Sequence, residues 1–231
     1  FVILCISFKL QRISSLSSCG KCITCSIDAV RVLTNRSSGQ MGCSVASAAS
    51  NRGHRVHLLL SHAATTKAPE GELTTQHFNS TADLDHLLNR HFEDTDVLIM
   101  AAAVSDFIPE SFTEDGKLNR KEGATNLRLN PAPDLVAKLA RMKRPGQIII
   151  GFALEPSTEM EERATRKMRE KGLDAIVANP LETMESAKIS GILLTADGKR
   201  WEAVAELDKA AFAEWLLDHV EDLSSRSVKA C

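Results

Sequence analysis

From Ile27 onward, apolar positions follow two rhythms that alternate along the chain. Unbroken apolar runs at 54–61 (HRVHLLLS), 96–104 (DVLIMAAAV), 147–154 (QIIIGFAL) and 174–179 (DAIVAN) predict strands covered on both faces. Between them the apolar residues recur at helical spacing. A helix over 40–51 ends at Asn51-Arg52-Gly53, a helix from Thr81 carries Leu84, Leu87, Leu88 and Phe92, and further helices fall at 132–142 and 157–171, the last with Met160, Ala164 and Met168 on one face. A polar loop covers 63–72, and 75–79 reads as a short strand. Near the end, 189–195 and 200–205 flank Ala196-Asp197-Gly198-Lys199, a hairpin with an Asp-Gly turn, and 209–223 is a closing helix. The order βαβαβ implies an α/β fold: a doubly wound, mostly parallel Rossmann-like sheet with a C-terminal β-hairpin and helix. Residues 9–26 have neither period and read as irregular, and 224–231 read as a frayed tail. One domain over 27–223 is therefore expected, with an atypical segment, 1–26, ahead of it.

The 231 residues are 43% hydrophobic and 25% charged, enough for a sizeable core. A formal net charge of -2 argues against broad nucleic-acid binding, so any cationic site must be local. No apolar run has the length to span a bilayer. Residues 1–8 (FVILCISF) are too short and lack a basic stretch ahead of them, so neither a membrane partner nor a signal peptide is expected. Cys19, Cys22 and Cys25 have the spacing of a metal or iron-sulfur site, but position 29 is Ala and no Cys-Pro follows. Free thiols in a reducing, cytoplasmic compartment are the simpler reading.

The candidate chemistry gathers where the strands should end. The loop Thr34-Asn35-Arg36-Ser37-Ser38-Gly39-Gln40-Met41-Gly42 passes from an apolar run into a small-residue helix, which directs N–H groups and hydroxyls at one point and suits an anion. Asn35 can donate and accept at once, although the loop is not G-x-G-x-x-G and such turns also occur without a ligand. Asp106, Phe152 and Asn179 lie at the carboxyl ends of three strands; each alone could be a turn cap, a core aromatic or a loop amide. Lys167 and Lys171 share a helix face and could reach a triphosphate, or belong to a solvated charged surface. Lys117 lies in a polar loop able to close over a phosphate.

Taken in order, Asp28-x-Val30-Arg31-x-Leu33-Thr34-Asn35-Arg36-Ser37-Ser38-Gly39-x-Met41-Gly42, Ala101-Ala102-Ala103-Val104-Ser105-Asp106, Lys117, Ala132-Pro133-Asp134-Leu135, Gly151-Phe152-Ala153-x-Glu155, Lys167-x3-Lys171 and Val177-Ala178-Asn179 resemble bacterial phosphopantothenoylcysteine synthetases. These form the ligase part of the DNA/pantothenate metabolism flavoproteins. The likeness covers roughly 27–223 and is nearer to the CTP-dependent bacterial enzymes than to the ATP-dependent animal ones. It implies ligation of 4'-phosphopantothenate with cysteine through an acyl-cytidylate, with Mg²⁺ on the CTP. By position, Asn35 and Lys117 would be catalytic. Ala102, Asp106, Lys117, Ala132, Pro133, Asp134, Leu135, Phe152, Lys167 and Lys171 would hold the nucleotide, and Asn35, Ser37, Ser38, Gly39 and Arg31 the acid substrate. Arg31 also matches a dimer contact, so a homodimer is implied.

There are departures. Lys21-Cys22-Ile23 stand where the family has a Gly-Gly-Thr turn, so either the chain starts with a different fold or residues 1–26 are not authentic coding sequence. Gln40 replaces a usual Lys, and Asn119-Arg120 replace further lysines. With no flavin-binding decarboxylase region in this sequence, no FMN is expected. Two rivals remain: a nicotinamide-dependent reductase, for which the glycine fingerprint is missing, and a nucleotide-binding module of the same fold without chemistry.

Overall fold

The unbroken apolar runs become the strands of one large sheet. The computed structural model describes residues 2–7, 18–19, 25–33, 35, 38–62, 64–101, 105–110, 117–119, 121, 123–184, 186–203 and 206–229, with side chains except at 2–7, 18–19, 25–26 and 226–229. The first half contains β1 (Val2–Ser7), β2 (Ser18–Cys19), β3 (Cys25–Ser26), β4 (Val32–Leu33), α1 (Gln40–Asn51), β5 (Arg55–Ser61), β6 (Leu73–Phe78), α2 (Thr81–His91), β7 (Val97–Ala101) and β8 (Phe107–Pro109). The second contains β9 (Leu129–Pro131), α3 (Leu135–Met142), β10 (Ile148–Glu155), α4 (Met160–Lys171), β11 (Ala175–Pro180), β12 (Lys188–Ile189), β13 (Ile192–Thr195), β14 (Arg200–Glu202), β15 (Leu207–Asp208) and α5 (Lys209–Lys229).

The main sheet runs β14-β13-β11-β10-β7-β1-β5-β6, with β2 paired to β1. β7, β10 and β11 are parallel neighbours, as are β5 and β6. β1 is antiparallel to both β5 and β7, and β13 and β14 add an antiparallel edge, so the sheet is more mixed than the periodicity predicts. Residues 2–7, expected to stand apart from the domain, thus form a strand inside its sheet.

Side chains of the central strands alternate between two cores. Ile99, Ile150 and Val177 face α1 and α5, meeting Val45, Ala46, Phe212 and Leu216. Leu98, Ile149 and Ile176 face α2, α3 and α4, meeting Leu84, Leu88, Leu135, Leu139, Ala164 and Met168. Each fully buried aliphatic or aromatic side chain contributes roughly 1.5–3 kcal/mol, so both layers are firmly held. The faces of the sheet carry different helices, and its carboxyl edge lies open between them.

Several boundaries differ from the periodicity, each for a local reason. α3 starts at Leu135 rather than 132, because Pro133 holds Ala132 out of the helical region and Asp134 caps the helix, its side chain accepting the Ala137 N–H at 3.0 Å. α4 starts at Met160 rather than 157. The stretch 189–195 is interrupted at Gly191, where a Cβ would lie 2.8 Å from the Ala178 carbonyl oxygen, and Ile189 pairs with Leu207 instead. The expected tail from 224 is helical to Lys229, with Ser224 buried. Cys43 is buried on α1, while the side chains of Cys19, Cys22 and Cys25 lie outside the described residues. Among the described residues no helix is long and apolar enough to cross a membrane.

Candidate active site

Parallel strands β7, β10 and β11 bring their carboxyl ends to one edge, and a cavity of ≈ 510 Å³ opens there. Its walls come from elements far apart in sequence. Asn35, Ser38 and Gly39 enter from the loop ahead of α1, Asp106 from the turn after β7, and Ala132, Pro133, Asp134 and Leu135 from the start of α3. Gly151 and Phe152 come from β10, Lys167 and Lys171 from α4, and Asn179 from β11.

Local chemistry fixes each contribution. Gly39 sits at φ 79°, a left-handed conformation that other residues rarely adopt, and so turns the loop into α1. The Thr66 hydroxyl donates to the Ser38 carbonyl at 2.9 Å and anchors the loop from the other side. The Ala132 N–H donates to the Asp106 carbonyl at 2.9 Å, tying the two nucleotide-side segments together. At Gly151 a Cβ would meet a Leu173 methyl at 2.7 Å, so the strand floor beneath the cavity is kept low. The Asn179 amide donates to the Thr183 hydroxyl at 3.2 Å.

The two helix lysines are held by carboxylates. Lys171 Nζ lies 3.0 Å from Asp134 Oδ2, a carboxylate that also caps α3. Burial pushes the Asp134 carboxyl up, but the Ala137 N–H and Lys171 outweigh it and keep it below the usual range. Lys167 Nζ lies 2.5 Å from Oε1 of the buried Glu155. An ammonium group has three N–H donors, so Lys167 keeps donors for a ligand beside this ion pair. Arg163 reaches the other Glu155 oxygen at 3.7 Å.

The sequence-predicted residues divide into three groups. Asn35, Ser38, Gly39, Asp106, Ala132, Pro133, Asp134, Leu135, Phe152, Lys167 and Lys171 are brought together. Arg31 and Lys117 do not line the cavity: Arg31 is ion-paired with Asp28, and Lys117 is exposed on the loop beside it. Ser37 and Ala102 lie outside the described residues. Lys209, which the sequence pattern did not single out, also lines the wall, next to Gln40 of the candidate anion loop. A signal for Lys209 was present, since a lysine at the first position of a helix opposes the helix dipole. Among the described residues no group of three or more His, Cys, Asp or Glu is placed to hold a metal.

Comparison with known proteins bears on this arrangement. A relative named as a cysteine/cysteine sulfinic acid decarboxylase, from an unknown prokaryotic organism, is 37% identical over 68% of this chain and 43% of its own length. The coenzyme A biosynthesis bifunctional protein CoaBC of Mycobacterium bovis is 33% identical over 84% of this chain and 49% of its own. The chain thus spans less than half the length of these relatives. The crystal structure of the C-terminal domain of a CoaBC protein superposes with a TM-score of 0.74 at 30% identity, covering 90% of this chain and 94% of that one. Residues 18–223 match a single family along nearly the whole described sheet, and the chain therefore belongs to the DNA/pantothenate metabolism flavoprotein C-terminal domain family.

Proposed function

We propose that this chain is the ligase that joins 4'-phosphopantothenate to L-cysteine at the expense of CTP, in the cytoplasm, with residues 27–223 as the catalytic domain. The observation that carries this reading is the convergence of the Asn35 loop, Ala132 to Leu135, Phe152, Lys167 and Lys171 on one cavity. The family and the names of the coenzyme A biosynthesis relatives support it.

A carboxylate resists nucleophiles until one of its oxygens belongs to a good leaving group. In the first step the acid's carboxylate attacks the α-phosphorus of CTP, and pyrophosphate departs with the electron pair of the broken P–O bond. In the second the cysteine amine attacks the acyl carbon, loses a proton and expels CMP. There is little for acid–base groups to do, so positioning and charge neutralisation supply most of the rate. CTP enters as its Mg²⁺ complex. Lys167 and Lys171 neutralise its phosphates, exchanging Glu155 and Asp134 for phosphate oxygens, and Phe152 packs against the base. Asn35 holds the acyl-phosphate oxygen, and Lys117 completes the charge balance when its loop closes.

A homodimer fits the surface beside Arg31. Val30 and Val32, on either side of Arg31, and Phe107 are 66%, 46% and 50% exposed, apolar side chains that a second copy would cover. The test is to supply CTP, Mg²⁺, 4'-phosphopantothenate and cysteine and to follow pyrophosphate and the amide product. CTP binding without pyrophosphate release would favour the non-catalytic module, and carbon dioxide from cysteine without CTP would favour the activity in the other relative's name.

A further inference from the structure

Lys209 and Gln40 are the first residues of α5 and α1, and Lys209 Nζ donates to Gln40 Oε1 at 3.1 Å. Two helix N-termini, each the positive end of its dipole, therefore meet at the cavity wall with a lysine between them. That is a costly place for an ammonium group. Lys209 is partly buried, and burial pulls its amine below the usual lysine range. Its partner is a neutral amide oxygen, and among the described residues it forms no ion pair. The neighbouring Asp208 carboxylate is engaged as the cap of α5, accepting the Ala211 N–H at 2.8 Å. α1 has no acidic residue in its first turn to offset the charge. Lys167 and Lys171, by contrast, each have a carboxylate.

Position separates these cations. α4 packs on one face of the sheet and α1 and α5 on the other, so Lys209 reaches the carboxyl edge from the side opposite Lys167 and Lys171. A ligase of the proposed kind needs two phosphate sites, one for the triphosphate and one for the phosphomonoester of the acid.

Resting on the ligase reading, we infer that Lys209 is a substrate-binding residue of this cavity and takes the phosphomonoester of the acid substrate rather than the phosphates of the nucleotide. A phosphomonoester carries close to two negative charges near neutrality, and an ammonium held between two helix N-termini matches it. Ser38, on the same wall, can supply a hydroxyl.

Calorimetric titration of the whole chain with 4'-phosphopantothenate and with unphosphorylated pantothenate tests this. Wild type should prefer the phosphorylated acid by on the order of tenfold to a hundredfold, the scale of one charge-assisted hydrogen bond. Lys209→Met should abolish that preference and leave CTP affinity within about twofold, a shift smaller than any net hydrogen bond would give, and Lys209→Arg should restore most of it. Lys209→Gln gives the same reading should the Met variant not fold. Retained preference in the variants, no preference in wild type, or an equal loss of CTP affinity overturns the inference. A wild-type chain with the expected preference that releases no pyrophosphate from CTP would count against the ligase reading alone.

Discussion

Asp28 Oδ2 accepts the backbone N–H of Leu118 at 3.0 Å, across 90 positions of chain. The other Asp28 oxygen accepts the N–H groups of Val30 at 2.8 Å and Arg31 at 2.7 Å, and the Arg31 guanidinium, ion-paired with Asp28, donates to the Leu118 carbonyl at 3.3 Å. Both backbone groups of Leu118 are therefore clamped by one charged pair. Lys117, adjacent to the clamp, and Asn35, a few residues beyond it, are mechanically linked although only Asn35 touches the cavity.

Asp28→Asn removes the charge and one acceptor from this clamp. We expect pyrophosphate release to fall by on the order of tenfold with KM for CTP nearly unchanged, because the segment proposed to bring in Lys117 loses its anchor. Burial raises the Asp28 carboxyl, but the N–H groups of Leu118, Val30 and Arg31 and the Arg31 charge outweigh it and hold the group at about 2. A depressed carboxylate stabilises the fold above its unfolded pKa and stops doing so as pH falls through the folded value. Amide exchange at Leu118 should therefore quicken as pH drops from the ordinary aspartate range toward about 2, after correction for the intrinsic rate. Unchanged protection in Asp28→Asn at neutral pH would disprove the clamp.

Under the proposed ligase reading, charge should separate the two chemical steps. Lys117→Gln should prevent formation of the acyl-cytidylate, and with it pyrophosphate release. Asn35→Asp keeps the size but places acceptors and a negative charge beside a developing oxyanion, which hinders amide formation more than activation. The acyl-cytidylate should accumulate in Asn35→Asp, with turnover down on the order of 10² to 10³. Quenched samples read by mass spectrometry decide the matter: intermediate stored by Lys117→Gln, or none by Asn35→Asp, reverses the assignment.

Base selection is a separate claim. If groups beside Phe152 read the edge of the base, CTP should support pyrophosphate release at least about tenfold better than ATP, a gap of about 1.4 kcal/mol, near one net hydrogen bond. Equal rates with the two nucleotides would remove cytosine recognition from the site.

The strands and the cavity wall were legible in the sequence for one physical reason. A strand buried on both faces must be apolar throughout, so the runs that became β7, β10 and β11 could not be mistaken, and residues just past them had to fall on one edge. Asp106, Phe152 and Asn179 all line the cavity there. What stayed hidden depends on contacts between distant segments. Nothing near Asp28 predicts a bond to Leu118, and nothing near Val2 predicts a strand between β5 and β7. Lys209 was hidden differently: its helix was foreseen, but only the meeting of α1 and α5 puts its first residue on the cavity.

Glu155 and Lys167 form a pair with unequal exposure, the side chains being 5% and 46% accessible. Lys167→Met leaves a buried carboxylate whose one remaining ion-pair partner among the described residues is Arg163 at 3.7 Å. The cost should be about 1–3 kcal/mol, less than for a fully buried pair because water already reaches the lysine. Adding Glu155→Gln to Lys167→Met should recover most of it, since the stranded charge is then gone. Urea unfolding of the two single variants and the double variant checks this, and strictly additive losses would mean that the residues are not coupled.

The last prediction concerns acid stability. His57 on β5 and His91 at the end of α2 place their rings 5.7 Å apart, and His57 Nδ1 and His91 Nε2 are buried without a hydrogen-bond partner among the described residues. Burial first, then the charges of His91 and Arg55, lower the His57 pKa to about 3. His91 is lowered as well, by burial and Arg90, with Asp94 opposing. A histidine that is harder to protonate when folded leaves stability intact above the unfolded pKa and loses it as pH falls, because the unfolded chain binds the proton first. Between pH 7 and pH 5 the His57 contribution alone should be about 2 kcal/mol, worth roughly 4–8 °C in Tm for a chain of this size. His57→Phe keeps an aromatic ring against His91 but cannot bind a proton, so its Tm should fall markedly less over the same range. Parallel curves for wild type and variant would show that acid destabilisation arises elsewhere.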